Sequence, residues 1–430
     1  MYDLAIIGAG WAGFNAGLQA RKLGLKAVII DKSEIGGTCL NLGCIPTKAL
    51  IQGAKAFNLV KKSSAYGVNS CVPSIDFPAM QERKDKIIRQ LRVGMRAMLK
   101  GIDFLTGQAQ LVSSQELKVS GNNTIQARNI LIASGSRPYE LPNLKFDAKK
   151  ILSSNEILSL KSVPSSLLII GGGVIGCEFA GLFSALGSKV TLVEKAPRLL
   201  PGEDAEVARK IENNFKKKGI KVNTDTDASG ASLDAFDTVL VCVGRAFQIE
   251  GLGLDNIGIK VENGKIAVDD YLCTNLNNVY AAGDCVSGVM LAHFAGYQGR
   301  LAVRNLCEYA NRTNAFSVPV PSCIFTDPEI GSIGLSEEKA IARGMPVDIH
   351  KFDFLGSGMA RILEETDGFI KIVAERKSGI ILGASIIGPK ATELIGILTL
   401  AVSRSLNVND LRSTLFAHPT LSESISEALN

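Results

Sequence analysis

An α/β fold is predicted by three observations. Residues 2–31, YDLAIIGAGWAGFNAGLQARKLGLKAVIID, read as strand, glycine turn, helix, strand and a closing acid. Residues 167–195, LLIIGGGVIGCEFAGLFSALGSKVTLVEK, repeat that order. Residues 318–430 alternate strands with an apolar helix and carry no third fingerprint. Together these predict two Rossmann-like domains, each a three-layer α/β unit, and a C-terminal α+β domain. The expected limits are 1–140 with 271–317 for the first domain, 141–270 for the second and 318–430 for the last.

In the first stretch, Gly8, Gly10 and Gly13 fit Gly-x-Gly-x-x-Gly, and Asp31 closes the second strand eighteen residues later. Glycines permit a tight turn and bring a pyrophosphate against a helix N-terminus, while the carboxylate accepts ribose hydroxyls. The strand, helix and acid that the fingerprint needs are all present, which marks a dinucleotide site.

Next comes GGTCLNLGCIPTK, residues 36–48, with Cys39 and Cys44 five positions apart. In a regular helix that spacing separates two side chains by over a third of a turn. A disulfide needs Cα atoms roughly 4.4–6.8 Å apart. Cys39 is therefore expected in a lead-in loop, with Cys44 in a first turn distorted by Pro46. A helix N-terminus and Lys48 both favour thiolate, the attacking form. On these residues alone, a redox couple and a pair of inert small hydrophobes are equally good readings.

Residues 78–100 predict an amphipathic helix whose charges, among them Arg83, Lys84, Lys86, Arg89 and Arg92, form a solvated face. ELKVSGNNTIQARNILIASGSRP predicts two short strands around a Gly-Asn-Asn turn, then an apolar strand ending at Ser134, Gly135 and Ser136. Pro138 and Pro142 mark an exit from the domain.

In the second stretch Gly171, Gly173 and Gly176 repeat the fingerprint, and Glu194 repeats the acid at the same distance. Two fingerprints imply two dinucleotides, most simply a tightly held flavin and an exchangeable nicotinamide cofactor. Glu194 favours a free ribose 2′-hydroxyl over a 2′-phosphate, and nearby Lys195 and Arg198 soften that preference for NAD over NADP. VYAAGDC then places Gly283 and Asp284 at a strand end for a further ligand contact, and LAHFAGYQGR opens a helix. His293 reads as a packed, hydrogen-bonded histidine and His350 as a strand surface residue. The helix ATELIGILTLAVSRS has a broad apolar face, suited to a partner subunit or to its own sheet. Near the end, His418 precedes Pro419, which can open a helix, with Glu423 one turn on. A carboxylate within reach orients an imidazole as a base.

Composition narrows the class. A chain of 430 residues with 46% hydrophobic and 21% charged content is globular and too long for one core. The net charge of +5, seven Tyr and one Trp, with no basic run among aromatics, argue against nucleic acid. Nine scattered cysteines and no signal-like leader indicate a reducing cytoplasm. Residues 167–187 carry one charge, yet their glycine core and polar flanks favour a buried strand and helix over a membrane span. No metal-ligand cluster is expected.

Across nearly the whole chain these stretches resemble the pyridine nucleotide disulfide oxidoreductases, and within them the branch acting on dihydrolipoamide. GGTCLNLGCIPTKAL matches the family's redox segment almost letter for letter, and AAGDC, LAHFAGYQG, FTDPEIGSIG, DGFIKIVAE and HPTLSE follow in the family's order. The resemblance implies FAD and NAD as cofactors and a homodimer. It implies Cys39 as the thiol that exchanges with substrate, Cys44 as the thiolate against the flavin, and His418, polarised by Glu423 and supplied by the other subunit, as acid and base. Around FAD it implies Thr38, Lys48, Ala109, Ser134, Gly135, Asp284, Leu291, Ala292 and His293, with Lys48 and Glu178 as an ion pair beside the ring. Around NAD it implies Val174, Ile175, Val243 and Gly244 with the second fingerprint. The implied reaction converts dihydrolipoamide and NAD to lipoamide and NADH. Its implied partner is a lipoylated acyltransferase or carrier protein of a 2-oxo acid dehydrogenase or glycine cleavage complex.

Glutathione reductases usually carry basic residues at the position of Glu194 and Tyr at that of Val174, so both positions favour lipoamide and NAD. No cysteine follows Cys323, unlike relatives with an extra redox or metal group near the C-terminus. Three departures stand out. Asp31 replaces the usual Glu, Arg245-Ala246-Phe247-Gln248 replaces RxPN, and residues 220–239 leave room for one strand and a loop where the family has a three-stranded meander. A trimmed second domain puts nicotinamide affinity in question. Two other readings remain: a reductase of another small disulfide such as glutathione disulfide, and a flavin-carrying assembly subunit.

Overall fold

The computed structural model describes residues 1–69, 71–120, 123–228 and 232–430. The turn expected at Gly121 and Asn122 lies outside them. The described chain forms two compact units.

The first unit comprises Met1–Ala49, Ala79–Tyr139 and Arg245–Ser317. Its sheet runs in the order Asp103–Thr106, Ala27–Asp31, Tyr2–Ile7, Asn123–Ile132, Glu116–Val119, Ala109–Ser113, with Val279–Ala281 also paired to Asn123–Ile132. The first four strands are parallel and the last two turn back antiparallel. Residues 4–7 and 27–30 are uninterrupted apolar runs, fully buried, as parallel strands covered on both faces require. Helices Trp11–Lys22 and Ala292–Cys307 cross closely because Gly299 has no side chain: a Cβ there would lie 2.0 Å from the Ala12 carbonyl oxygen.

Asn123–Ile132 is one ten-residue strand rather than the two expected. Its polar start pairs with Glu116–Val119 and its apolar end with Tyr2–Ile7, so the change of pattern records a change of neighbour. The segment 245–270, expected with the second domain, belongs to the first unit. Arg245–Phe247 pairs antiparallel with Ser136–Pro138, and Leu252 and Leu254 enter the first unit's core.

The second unit comprises Leu50–Pro78, Glu140–Gly244 and Val318–Asn430. It holds a parallel sheet ordered Lys221–Asn223, Lys189–Val193, Ser166–Ile170, Thr238–Val241, Ile151–Leu152. Between Lys221–Asn223 and Thr238–Val241 the described residues form one short turn, Leu233–Ala235, in agreement with the trimming read from sequence. The other sheet is antiparallel, ordered Ser322–Ile324, Glu329–Gly334, Ile381–Gly388, Phe369–Glu375, Val347–Asp353. Helix Ala391–Ser403 buries Leu394, Ile395, Leu398 and Ala401 on this sheet. Its apolar face is thus used within the chain, and Gly331 admits it, since a Cβ there would lie 2.6 Å from the Ala391 oxygen. His350 sits half-buried on strand Val347–Asp353.

The apolar window 167–187 divides into strand Ser166–Ile170 and helix Val174–Ala185. Among the described residues no helix is long and apolar enough to cross a membrane.

Candidate active site

The cysteine segment packs on the first glycine loop. Gly36, at φ 100°, donates its N–H to the Ala9 oxygen at 2.9 Å. Gly37, at φ 56°, lies so close to the loop that a Cβ would be 2.6 Å from Gly10 Cα. Only glycine accepts both that backbone and that contact. Cys39 lies in the short helix Gly37–Leu42, not in a loop as expected, and Gly43 at φ −150°, ψ −109° breaks the helix before Cys44 opens Cys44–Lys61. The break at Gly43, rather than distortion at Pro46, therefore relaxes the five-residue spacing. The turn after it is regular, with Thr47 N–H and Oγ1 both reaching the Gly43 oxygen at 3.1 and 2.6 Å. Pro46 fits because an N–H in a first turn has no helical acceptor.

Cys39 and Cys44 meet as thiols sharing a hydrogen bond. That bond and burial hold the Cys39 thiol above its usual range, while the Trp11 indole and the Lys48 charge pull it down. Asn41 braces the segment: its Nδ2 donates to the Gly37 oxygen at 2.9 Å, and its Oδ1 accepts from Arg92 Nε at 2.7 Å. Arg83 donates to the Ala49 oxygen at 3.2 Å, and Lys84 is buried. The helix Phe77–Met98 is thus no simple solvated face; three of its cations serve the fold.

The two fingerprints have the same geometry. Gly8 and Gly171 adopt φ 104° and 113°, and a Cβ on either would lie 2.3 Å from the Ala133 oxygen or 2.5 Å from the Cys242 oxygen. A Cβ on Gly13 or Gly176 would lie 1.8 Å from the Gly8 oxygen or 1.9 Å from the Gly171 oxygen. The middle glycines differ. Gly10 has only Gly37 Cα, at 3.8 Å, and Gly173 has nothing among the described residues within 4 Å. The outer glycines are required by the chain itself, and the middle ones face open space at a helix N-terminus.

Each acid grips its own loop. Asp31 accepts the Ala9 and Ser33 N–H groups at 2.6 and 2.7 Å, and Glu194 accepts those of Gly172 and Ala196 at 2.5 and 2.6 Å. Burial raises the Asp31 carboxyl, offset by its backbone donors. Beside the second loop lies a cavity of about 840 Å³, lined by Gly171, Gly173, Val174, Ile175, Glu194, Val243 and Gly244 among others. Clefts that hold cofactors run roughly 300–1,000 Å³. Lys195 pairs with Asp227 at 3.6 Å, and Arg198 forms a two-pronged pair with Glu338 at 2.9 Å, so both nearby cations have carboxylate partners. Glu178 is buried on helix Val174–Ala185 and accepts the Phe325 N–H at 2.9 Å.

The remaining expected residues of the first unit gather at its strand ends. Ser136 Oγ donates to Asp284 Oδ2 at 2.5 Å and accepts from Arg245 Nε at 2.8 Å. Arg245 also donates to the Ser136 oxygen at 2.8 Å, with the Asp284 carboxylate and the Cys44 thiol as neighbours of its guanidinium. The buried Ser134 hydroxyl lies against the Cys285 thiol, next to Gly135 at φ 77°. Thr38 shares the Cys39 helix, Lys48 lies one turn beyond Cys44, and Ala109 is buried at a strand start. Leu291 and Ala292 are half-buried at the start of helix Ala292–Cys307, and His293 is exposed rather than packed, because it sits on that helix's first turn. The open Gly10 cradle, the buried Ser134 hydroxyl and the Asp284 carboxylate suit a dinucleotide here.

His418 Nδ1 lies 2.8 Å from Glu423 Oε2, with the imidazole largely exposed. Pro419 does not open a helix: Thr420 N–H bonds Glu423 Oε1 at 3.2 Å and Glu423 N–H bonds Thr420 Oγ1 at 3.3 Å, so the helix starts at Ser424. Asn41, Arg92, Arg245 and Trp11 are site neighbours that sequence reasoning missed. Only Trp11, inside the fingerprint, carried a local signal.

The pyridine nucleotide-disulphide oxidoreductase family matches residues 2–299, and that family's dimerisation domain matches residues 320–429. The chain belongs to the pyridine nucleotide-disulphide oxidoreductases. Among curated relatives, the dihydrolipoyl dehydrogenase of Chlamydia pneumoniae is 40% identical, covering 98% of this chain and 95% of that protein. A dihydrolipoyl dehydrogenase of Bacillus subtilis is 39% identical, covering 99% and 97%. Among solved structures, LpdA from Mycobacterium tuberculosis is similar with a TM-score of 0.91 and 28% identity, covering 99% of this chain and 98% of that one. The HOCl-induced flavoprotein disulfide reductase RclA from Escherichia coli gives 0.90 and 29%, covering 100% and 99%.

Proposed function

We propose that this oxidoreductase is a dihydrolipoyl dehydrogenase, oxidising dihydrolipoamide with NAD through FAD and a reversible Cys39–Cys44 disulfide. The observation that carries the reading is the meeting of the two cysteine thiols at the head of a helix, against the first nucleotide loop. Bound FAD would supply the two-electron carrier between this dithiol and the nicotinamide. Gly8, Gly10, Gly13 and Asp31 would hold its adenosine half, and Ser134, Gly135, Asp284 and Lys48 the rest.

Cys39 takes the role of exchange thiol, as the family's order of the two cysteines implies. Cys44, next to Lys48 and Arg245, takes the inner role, where positive charge favours thiolate. His418 donates a hydrogen bond from Nδ1–H to Glu423 and keeps Nε2 as the base for substrate thiols. Glu194 receives the NAD ribose, and the engaged state of Lys195 and Arg198 favours NAD over NADP. The dimerisation domain supports a homodimer, with His418 serving the other subunit's thiols. The partner is a separate lipoylated acyltransferase or carrier chain.

The test is an anaerobic titration followed by absorbance, first with NADH and then with dihydrolipoamide. Both should bleach the flavin. Bleaching by NADH alone, with turnover on glutathione disulfide, sinks the lipoamide assignment. No bleaching by NADH supports an assembly subunit instead. Cys44→Ser should retain flavin and lose lipoamide turnover; normal turnover removes the redox pair.

A further inference from the structure

Trp11 is the one tryptophan of the chain, and it stands inside the first fingerprint at the head of helix Trp11–Lys22. Its ring is fixed edge-on to Phe14 at 6.2 Å, and its backbone oxygen is held by Asn15 Nδ2 at 2.8 Å. Its Nε1–H is buried and makes no hydrogen bond among the described residues. A buried donor left unsatisfied is costly, so the neighbouring acceptor matters. The Cys39 side chain is its neighbour. The bond from Gly36 N–H to the Ala9 oxygen and the near-contact of Gly37 with Gly10 lay the Cys39 helix flush on the loop that begins Trp11. The indole reaches the Cys39 side chain and favours its ionised form.

We propose that the Trp11 indole N–H is the hydrogen-bond donor that holds the Cys39 sulfur as a thiolate during exchange, and this rests on the dihydrolipoyl dehydrogenase reading. In that reaction a substrate thiolate attacks Cys39 Sγ, the Cys39–Cys44 bond breaks, and Cys44 leaves with the electron pair. The second substrate thiol, losing its proton to His418, attacks the substrate sulfur bound to Cys39. A substrate disulfide forms, and Cys39 leaves as thiolate. One dithiol is oxidised, one protein disulfide is reduced, and two protons pass to base and solvent. The leaving tendency of Cys39 governs the second exchange, and a hydrogen bond to its developing charge promotes it.

The test uses the holoenzyme reduced anaerobically with NADH and alkylated with iodoacetamide across pH, reading the Cys39 peptide by mass. Burial holds Cys242 at about 12 and Cys285 at about 11, so neither competes. Trp11→Phe keeps a ring and removes the N–H. Its Cys39 profile should move up by about one pH unit, and lipoamide turnover at neutral pH should fall about tenfold relative to flavin reduction by NADH. Superimposed profiles overturn the proposal. A second measurement needs no change at Trp11. In the reduced holoenzyme the lone tryptophan's fluorescence should step at the pH where Cys39 becomes reactive, and Cys39→Ser should abolish the step. A step that survives Cys39→Ser, or no step at all, also overturns it. Absence of lipoamide turnover in the unaltered protein would instead count against the parent reading, and the alkylation profiles would still decide the role of Trp11.

Discussion

At the scale of single residues, the groups proposed for the chemistry have asymmetric settings. Cys39 is held beside a loop, an indole and a second thiol, whereas His418 is exposed and tied to Glu423. An imidazole so placed is oriented through Nδ1 and open at Nε2, the geometry of a base waiting for a substrate from outside. His418→Gln should therefore slow dihydrolipoamide oxidation by roughly 10²–10⁴-fold, the usual worth of a general base. Flavin reduction by NADH should keep its rate, because that half-reaction moves no substrate thiol proton. Stopped-flow absorbance with each reductant separates the two, and equal slowing of both would contradict the role. The histidine and its acid were legible in sequence because five positions separate them. Trp11 with Cys39, Arg92 with Asn41, and Arg245 with Ser136 were not, since the fold brings together segments far apart in the chain.

At the scale of elements, the glycine loops separate what the chain needs from what a ligand needs. Gly176→Ala puts a methyl 1.9 Å from the Gly171 oxygen, so the loop must open, at a cost of at least about 1–3 kcal/mol. Gly173→Ala meets nothing among the described residues. Its thermal midpoint should stay put while the NADH concentration for half-maximal flavin reduction rises about tenfold or more, because the methyl occupies the pyrophosphate's approach. A Gly173→Ala protein with normal NADH dependence would remove the second loop as the nicotinamide site. Elsewhere, Asp204 caps helix Ala205–Lys217 and shares the buried Lys371 with Glu206 and Glu337 at 3.1, 3.2 and 2.6 Å. Burial alone would lower the Lys371 pKa, but the hydrogen bonds it donates to Glu337 and Asp204 raise it above the usual lysine value. Glu206 is held below the usual carboxylate range, chiefly by Lys351. A raised lysine stabilises fully below its unfolded pKa and ceases only as pH climbs through the folded one; a depressed carboxylate stabilises above its unfolded pKa and fails as pH falls through the folded one. Lys371→Met leaves Asp204 buried without its cation and should cost about 3–5 kcal/mol. By denaturant unfolding the deficit should hold steady from about pH 6 to 9 and shrink in acid. A deficit that vanishes at neutral pH would show the cluster contributes nothing.

At the scale of the molecule, the two glycine loops could be read from sequence because each announces itself within some thirty residues, through apolar runs bounded by glycines and an acid, and the C-terminal sheet through its alternation of strands with an apolar helix. The return of 245–270 to the first unit could not, because it depends on a three-residue strand pairing with Ser136–Pro138. The shortened link between Lys221–Asn223 and Thr238–Val241 removes sheet but leaves the cavity beside Glu194, since every residue lining its glycine side belongs to retained elements. In the proposed reading the site is divided by function: NAD chemistry uses one chain's loops, whereas thiol chemistry uses an exposed imidazole assigned to the other subunit of the dimer. Dilution should then separate the two activities. As the protein falls below its dimer dissociation constant, dihydrolipoamide turnover per flavin should decline in step with the dimer fraction seen by mass photometry, while reduction of ferricyanide by NADH should hold. Mixing inactive Cys39→Ser with inactive His418→Gln offers the complementary reading. Subunits exchanged into mixed dimers each restore one intact pairing, so turnover should recover to about a quarter of wild type for random pairing of equal amounts, half the dimers being mixed and each carrying one of two sites. No recovery, with exchange verified by mass, would place both groups of a working site in one chain and end the shared-site reading.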